Sequence, residues 1–148
     1  MKVTICGSMS AVEKMEKLKS ELITLGHEAK IPLVKIVDPT GKELTQDEFY
    51  KLRQQPHDND SWVWNVNREG IKDHFVKITW SDAILVPNYE KDGVANYIGP
   101  NTLMEMGLAL FLNKKIFLLN PIPDMPSKEE IIGVNPVILD GDLTKISK

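Results

Sequence analysis

Two uninterrupted apolar runs constrain the fold most. They are Ala83-Ile-Leu-Val86, bounded by Asp82 and Pro87-Asn88, and Ile116-Phe-Leu-Leu119, bounded by Lys115 and Asn120. A strand with one wet face alternates polar and apolar side chains. A run that is apolar at every position must be covered on both faces. Two such runs joined through a helical stretch require a parallel sheet held between helices. Residues 2–6 and 27–32 read as earlier strands, and 136–139 as a last one. Val12, Met15, Leu18, Leu22 and Leu25 recur at spacings of three and four, which marks the buried face of a helix. Ser10 with Glu13 has the capping-box spacing for its start, and Gly26 stops it. Further helices are expected over about 67–80, with Ile71, Phe75, Val76 and Ile78 inward, over 102–113, and near 127–132. The expected class is therefore α/β, with helices on both faces of a parallel sheet.

At 148 residues the chain fits a single domain spanning 1–148. Residues 33–66 stand out as an excursion from it, holding Pro39-Thr40-Gly41, a short helix opened by the Thr45/Glu48 capping-box pair, and a polar stretch at 54–61. Hydrophobic residues make up 42 % of the chain and charged residues 26 %, enough apolar surface to offset the ordering entropy, so wholesale disorder is excluded. A net charge of −3 leaves no basic excess for a phosphate backbone, so nucleic acid is not an expected partner. No apolar run approaches the ~20 residues of a membrane span. No signal peptide is expected, because Met1-Lys2 leads directly into strand-like sequence. The single cysteine, Cys6, forms no internal disulfide, which fits a reducing cytoplasm. One cysteine and three scattered histidines give no zinc-ligand spacing, so no zinc site is expected from sequence.

Ligands of such sheets bind beyond the carboxyl ends of the strands. Three loops meet there, at 7–10, 87–101 and 120–126. The chain lacks GxxxxGK[ST], GxGxxG, GxSxG and HExxH patterns, which removes the commonest phosphoryl-transfer, dinucleotide, serine-hydrolase and metalloprotease readings. Glu105 is the sole charge in Asn101-Thr-Leu-Met-Glu-Met-Gly-Leu-Ala-Leu-Phe-Leu112, a helix apolar on almost every side. A buried carboxyl is paired, protonated or functional. The alternative is local: Thr102 and Glu105 also have capping-box spacing. Gly107 reads as a packing glycine. Gly7-Ser8-Met9-Ser10 joins strand to helix, and its backbone N–H groups and hydroxyls suit a phosphate or a sugar hydroxyl. Asp82 reads as a cap of the preceding helix. Asp73 and His74 lie on that helix and are candidates to orient a carboxylate or move a proton. Trp62 and Trp64 either pack the excursion onto the domain or stack on a base. Lys72, Lys77, Lys91, Lys114 and Lys115 read as solvated.

Three segments together resemble the nucleoside 2-deoxyribosyltransferase superfamily, which includes the 2-deoxynucleoside 5-monophosphate N-hydrolases. They are the opening strand into Cys6-Gly7-Ser8, the Ser81-Asp82-Ala-Ile-Leu-Val86 strand, and Asn101-Thr102-x-x-Glu105-x-Gly107-x-Ala109 followed by Lys114-Lys115. The resemblance implies a flavodoxin-like or Rossmann-like three-layer sandwich with four to five parallel strands. It also implies a homodimer or higher oligomer, no cofactor, and cleavage of the bond between base and sugar in a small-molecule nucleoside or nucleotide. Glu105 takes the place of the family nucleophile, which attacks the anomeric carbon before water or a second base releases the sugar. Cys6, Gly7, Ser8, Met9, Asn88, Gly99, Asn101 and Thr102 fall where the substrate is bound.

Two positions depart from the family pattern. The family aspartate eight residues before the position of Asp82 is replaced by His74, with Asp73 adjacent. The arginine that follows the Gly-Ser of the monophosphate hydrolases is replaced by Met9-Ser10, so phosphate selectivity is not implied. These departures keep a second function class open, a nucleotide-binding or sensing module without turnover. A third reading, the lysine-decarboxylase-like phosphoribohydrolases, is only partly echoed: Gly99-Pro-Asn-Thr-Leu-Met-Glu-Met-Gly107 lacks their paired glycines.

Overall fold

The computed structural model describes residues 1–32 and 35–147. Strand β1 (Lys2–Ile5) leads through a 3-10 turn at Met9–Ala11 into α1 (Val12–Thr24), and β2 (Glu28–Lys30) follows. A two-stranded hairpin, β3 (Ile36–Val37) and β4 (Glu43–Leu44), precedes α2 (Gln46–Arg53) and the long α3 (Trp62–Trp80). Then β5 (Ala83–Val86), α4 (Pro100–Phe111), β6 (Lys115–Leu118), α5 (Lys128–Gly133) and β7 (Val137–Ile138) alternate to a final 3-10 turn at Leu143–Lys145. The main sheet has the order β2-β1-β5-β6-β7, with every pair parallel. This is the flavodoxin-like order, which reverses between β1 and β5.

The apolar runs become the central strands for the expected reason. Val3, Ile5, Ala83, Leu85, Phe117 and Leu119 face one layer, built from Met15, Leu18 and Leu22 of α1 with Leu143 and Ile146. The alternate residues Cys6, Ile84, Val86, Ile116 and Leu118 face Ile78 of α3, Met106 and Ala109 of α4, and Ile131 of α5. Ile84, Leu85 and Leu118 are fully buried. Truncating any one of them to alanine is expected to cost about 2–5 kcal/mol through lost contacts and a cavity.

Residues 35–66 form local structure. Leu33 and Val34 lie outside the described residues. The hairpin turn is held by the Asp38 carboxylate, which accepts from Thr40 N, Thr40 Oγ1 and Lys42 N. The Thr45/Glu48 capping box opens α2 as expected. Buried Phe49 then packs on Trp62 with ring centroids 6.4 Å apart, and His57 meets Trp64 edge-on at 5.7 Å. The first turn of α3 thus belongs to this segment, and the helix starts at Trp62, capped by Ser61 whose hydroxyl accepts from Val63 N, rather than near residue 67.

Several local expectations are corrected. The Ser10/Glu13 box does not form; Ser8 caps the 3-10 turn instead, and α1 begins at Val12. The Thr102/Glu105 box does not form either, because α4 starts at Pro100 with Gly99 as its cap. Proline at the first helical position fixes a helical φ and needs no N–H there, so it takes precedence over the later Thr signal. Gly107 approaches no strand: a Cβ built on it meets nothing within 4 Å. Asp82 accepts from Lys2 N at 2.8 Å instead of capping α3. Lys114 serves the end of that helix, donating to Thr79 O and Ser81 O. Val76 faces outward, 68 % exposed.

Candidate active site

The cleft lies where the strand order reverses, beyond the carboxyl ends of β1 and β5. Gly7, Ser8 and Ser10 form one side, Pro87 to Lys91 the other, and Tyr97, Gly99 and Thr102 close it, around a shallow, solvent-open cavity of ≈ 40 Å³. Gly7 allows the two loops to meet. A Cβ there would stand 3.1 Å from Pro87 Cγ and 3.3 Å from Met15 Sδ. The β5 loop is held by a reciprocal amide clamp. Asn88 Nδ2 donates to Asn120 O and Pro121 O, Asn88 Oδ1 accepts from Asn120 N at 2.9 Å, and Asn120 Nδ2 donates to Asn88 O. Asn88 therefore lines the cleft while its side chain is spent on positioning the loop.

Three wholly or largely buried groups converge behind this cleft. Thr102 and Glu105 stand three residues apart on one face of α4, so the carboxyl lies one turn below the cleft wall. Cys6 immediately precedes Gly7 at the end of β1, and His74 projects from α3. Donor atoms of Cys6, His74 and Glu105 all lie within 4.8 Å of one another, with His74 Nε2 3.7 Å from Glu105 Oε1. Cys6 and His74 are buried, and the Glu105 side chain is 13 % exposed.

Burial governs their ionisation. Desolvation pushes the Glu105 carboxyl from 4.5 up to about 8, partly offset by the neighbouring Cys6 thiol acting as a donor. It pushes the His74 imidazole down to about 4; the Lys77 charge adds to this and Asp73 opposes it. The Cys6 thiol is raised well above its usual value by burial and by the nearby Glu105. The resting cluster is thus a neutral acid beside a neutral base. Among the described residues, neither His74 nitrogen nor Glu105 Oε2 has a hydrogen-bond partner.

Of the residues singled out from sequence, Gly7, Ser8, Asn88, Gly99 and Thr102 line the cleft. Cys6, His74 and Glu105 meet behind it. Met9 packs against the α1-side core, Asn101 is exposed on the first turn of α4, and Asp73 pairs with Lys77 at 2.6 Å on α3. Sequence reasoning passed over Tyr89, Glu90, Lys91 and Tyr97. Lys91 is not simply solvated; its ammonium lies 5.8 Å from the Tyr50 ring of α2 and 5.6 Å from that of Tyr97. The signal for this wall was Asp92-Gly93. Both residues have positive φ, 53° and 81°, and they form the tight turn that pairs Lys91 with Val94.

No protein-family model matches the sequence, and no curated protein does. Among solved structures the chain is similar to the 2-deoxyribosyltransferase of Bacillus psychrosaccharolyticus, with a TM-score of 0.50 and 15 % identity over 80 % of this chain and 71 % of that one. It is also similar to the CMP N-glycosidase of Clostridium botulinum, with a TM-score of 0.39 and 20 % identity over 80 % of this chain and 67 % of that one. The first of these likenesses establishes the shared α/β fold. Among the described residues no helix is long and apolar enough to cross a membrane.

Proposed function

We propose that the chain is an enzyme that cleaves the N-glycosidic bond of a nucleoside, deoxynucleoside or 5-monophosphate, with Glu105 as nucleophile. The supporting observation is the carboxyl itself: it is largely buried behind a cleft at the strand-order switch, held beside the His74 imidazole and the Cys6 thiol with no cationic side chain paired to it among the described residues. A structural glutamate would be expected to carry a cap or an ion pair. A substrate in the cleft presses its sugar against the wall formed by Gly7, Val86 and Thr102. Glu105 attacks the anomeric carbon through an oxocarbenium-like transition state, the base departs, and a glycosyl ester forms. Water or a second base then releases the sugar, giving hydrolysis or transfer. Attack requires Glu105 to give up its proton. His74 is the adjacent acceptor, and from it the proton passes to the leaving base. Both groups are neutral before and after the step, so no isolated charge is left in a dry site. Ser8 and Ser10 present hydroxyls to the sugar, Lys91 presents a charge at the mouth, and Asn88 holds the loop that carries it.

The outer side of α4 supports self-association: Met104, Leu110 and Phe111 are exposed, Phe111 at 80 %, around the open surface of Gly107. A second reading, a nucleotide-binding module without turnover, has one observation in its favour, that Glu105 does not itself line the cleft. Chromatography of a panel of nucleosides and 5-monophosphates, with and without an acceptor base, separates the two. Free base or exchanged nucleoside that is lost in Glu105→Gln supports the enzyme. Saturable binding with no base release supports the module.

A further inference from the structure

We propose that Cys6, His74 and Glu105 also form a binding site for a thiophilic divalent cation, with zinc as the representative ion. Three observations carry this. The sulfur, nitrogen and oxygen donors come from β1, α3 and α4, far apart in sequence, yet all lie within 4.8 Å of one another. Zinc bound at about 2.0–2.3 Å in a tetrahedron sets its ligands roughly 3.3–3.8 Å apart. The 3.7 Å between His74 Nε2 and Glu105 Oε1 already meets that spacing, and the sulfur needs to close by about an ångström at most. The second observation is the deficit of partners. His74 is only 3 % exposed and has two unsatisfied nitrogens, and Glu105 Oε2 is unsatisfied beside it. A buried polar atom without a partner is costly, and one cation would give a partner to one His74 nitrogen and to the Glu105 carboxyl.

The third observation is the donor chemistry. One thiolate, one imidazole and one carboxylate form a three-ligand set that suits zinc or cobalt(II) and not magnesium or calcium, which take oxygen ligands. Three protein ligands leave a fourth position for water. Gly7 beside Cys6, and Thr102 one turn from Glu105, both border the cleft, which provides the entry path. Binding forms a metal–sulfur and a metal–oxygen bond and expels both the Cys6 thiol proton and the Glu105 carboxyl proton to solvent. No oxidation or reduction is involved. One consequence rests on the proposed glycosidic function. A cation that holds Glu105 removes the nucleophile, so zinc acts as an inhibitor that lowers kcat and is reversed by chelation.

The test uses the full chain stripped with a chelator and then titrated with cobalt(II) and, separately, with zinc. The expected result is one equivalent of each. Cobalt should give a thiolate-to-metal charge-transfer band with four-coordinate visible bands, and zinc a one-to-one adduct in native mass spectrometry. Cys6→Ser should abolish the charge-transfer band. Glu105→Gln, which keeps the shape of the side chain, should weaken binding at least tenfold. Circular dichroism verifies that each variant is folded, and if Cys6→Ser does not fold, the wild-type spectrum and Glu105→Gln decide. Absence of a charge-transfer band from the wild-type protein overturns the proposal. So does an undiminished cobalt spectrum in folded Cys6→Ser, or cobalt affinity unchanged in Glu105→Gln. Base release measured in chelator reports on the glycosidic function alone, so failure of either idea leaves the other readable.

Discussion

Glu105→Gln should stabilise the protein, and the gain should depend on pH. The Glu105 carboxyl ionises near 4.5 in the unfolded chain and near 8 in the folded one. The folded state therefore holds its proton more tightly. The stability associated with the neutral acid is fully present below pH 4.5 and is lost progressively as pH rises towards 8. Each pH unit across that window is worth about 1.4 kcal/mol. At pH 7 the penalty is about 2.5 such steps, or roughly 3 kcal/mol, and above pH 8 it approaches about 5 kcal/mol. Glutamine occupies nearly the same volume and does not titrate. In a chain of this size about 3 kcal/mol raises the melting temperature by roughly 6–12 °C. Thermal melts of both proteins from pH 4.5 to 8.5, in chelator so that no cation shares the site, should diverge steadily as pH rises. A melting difference that is the same at pH 5 and pH 8 would refute the reasoning, because it would mean that Glu105 does not carry the buried titration. The sign is informative in its own right, since a residue whose replacement stabilises the fold is held for activity rather than for structure.

His74→Leu removes two unsatisfied buried nitrogens at similar volume, so its melting temperature should stay level or rise, while base release falls at least tenfold; calorimetry beside the chromatographic assay checks both. Asn88→Ala breaks the clamp to Asn120 and Pro121 and should cost about 2–3 kcal/mol in urea unfolding, with a rise in KM as the loop loosens. Gly7→Ala forces a methyl against Pro87 and Met15, so KM should rise more than kcat falls, with about 1–2 kcal/mol lost from overpacking.

The sheet was legible in the sequence because its information is local. The apolar runs at 83–86 and 116–119 can only be strands covered on both faces, and the three-and-four spacing of Met15, Leu18 and Leu22 can only bury one side of α1. The Thr45/Glu48 box held because nothing nearby competed with it. The Thr102/Glu105 box lost to Gly99-Pro100, and that displacement by one turn is what frees Glu105 from a capping role. Apolar residues on almost every side of α4 also suggested a buried helix, yet Met104, Leu110 and Phe111 face outward. Hydrophobicity alone does not distinguish a core side from a docking side. The meeting of Cys6, His74 and Glu105 was not legible, because it depends on the register of β1 against β5 and the packing of α3 on α4. Metal-ligand spacing rules see only neighbours in sequence, so the same distance hid this cluster from them.

The most direct test of Glu105 as nucleophile is to trap the sugar on it. The protein is incubated with 2-fluoro-2-deoxynucleosides of each base, whose fluorine slows breakdown of the glycosyl ester, and intact mass is recorded, followed by peptide mapping. The predicted result is a single fluorodeoxyribosyl adduct on the peptide carrying Glu105, absent from Glu105→Gln, formed with one equivalent of released base. Base release that continues in Glu105→Gln, with no adduct on the wild-type chain, would contradict the account.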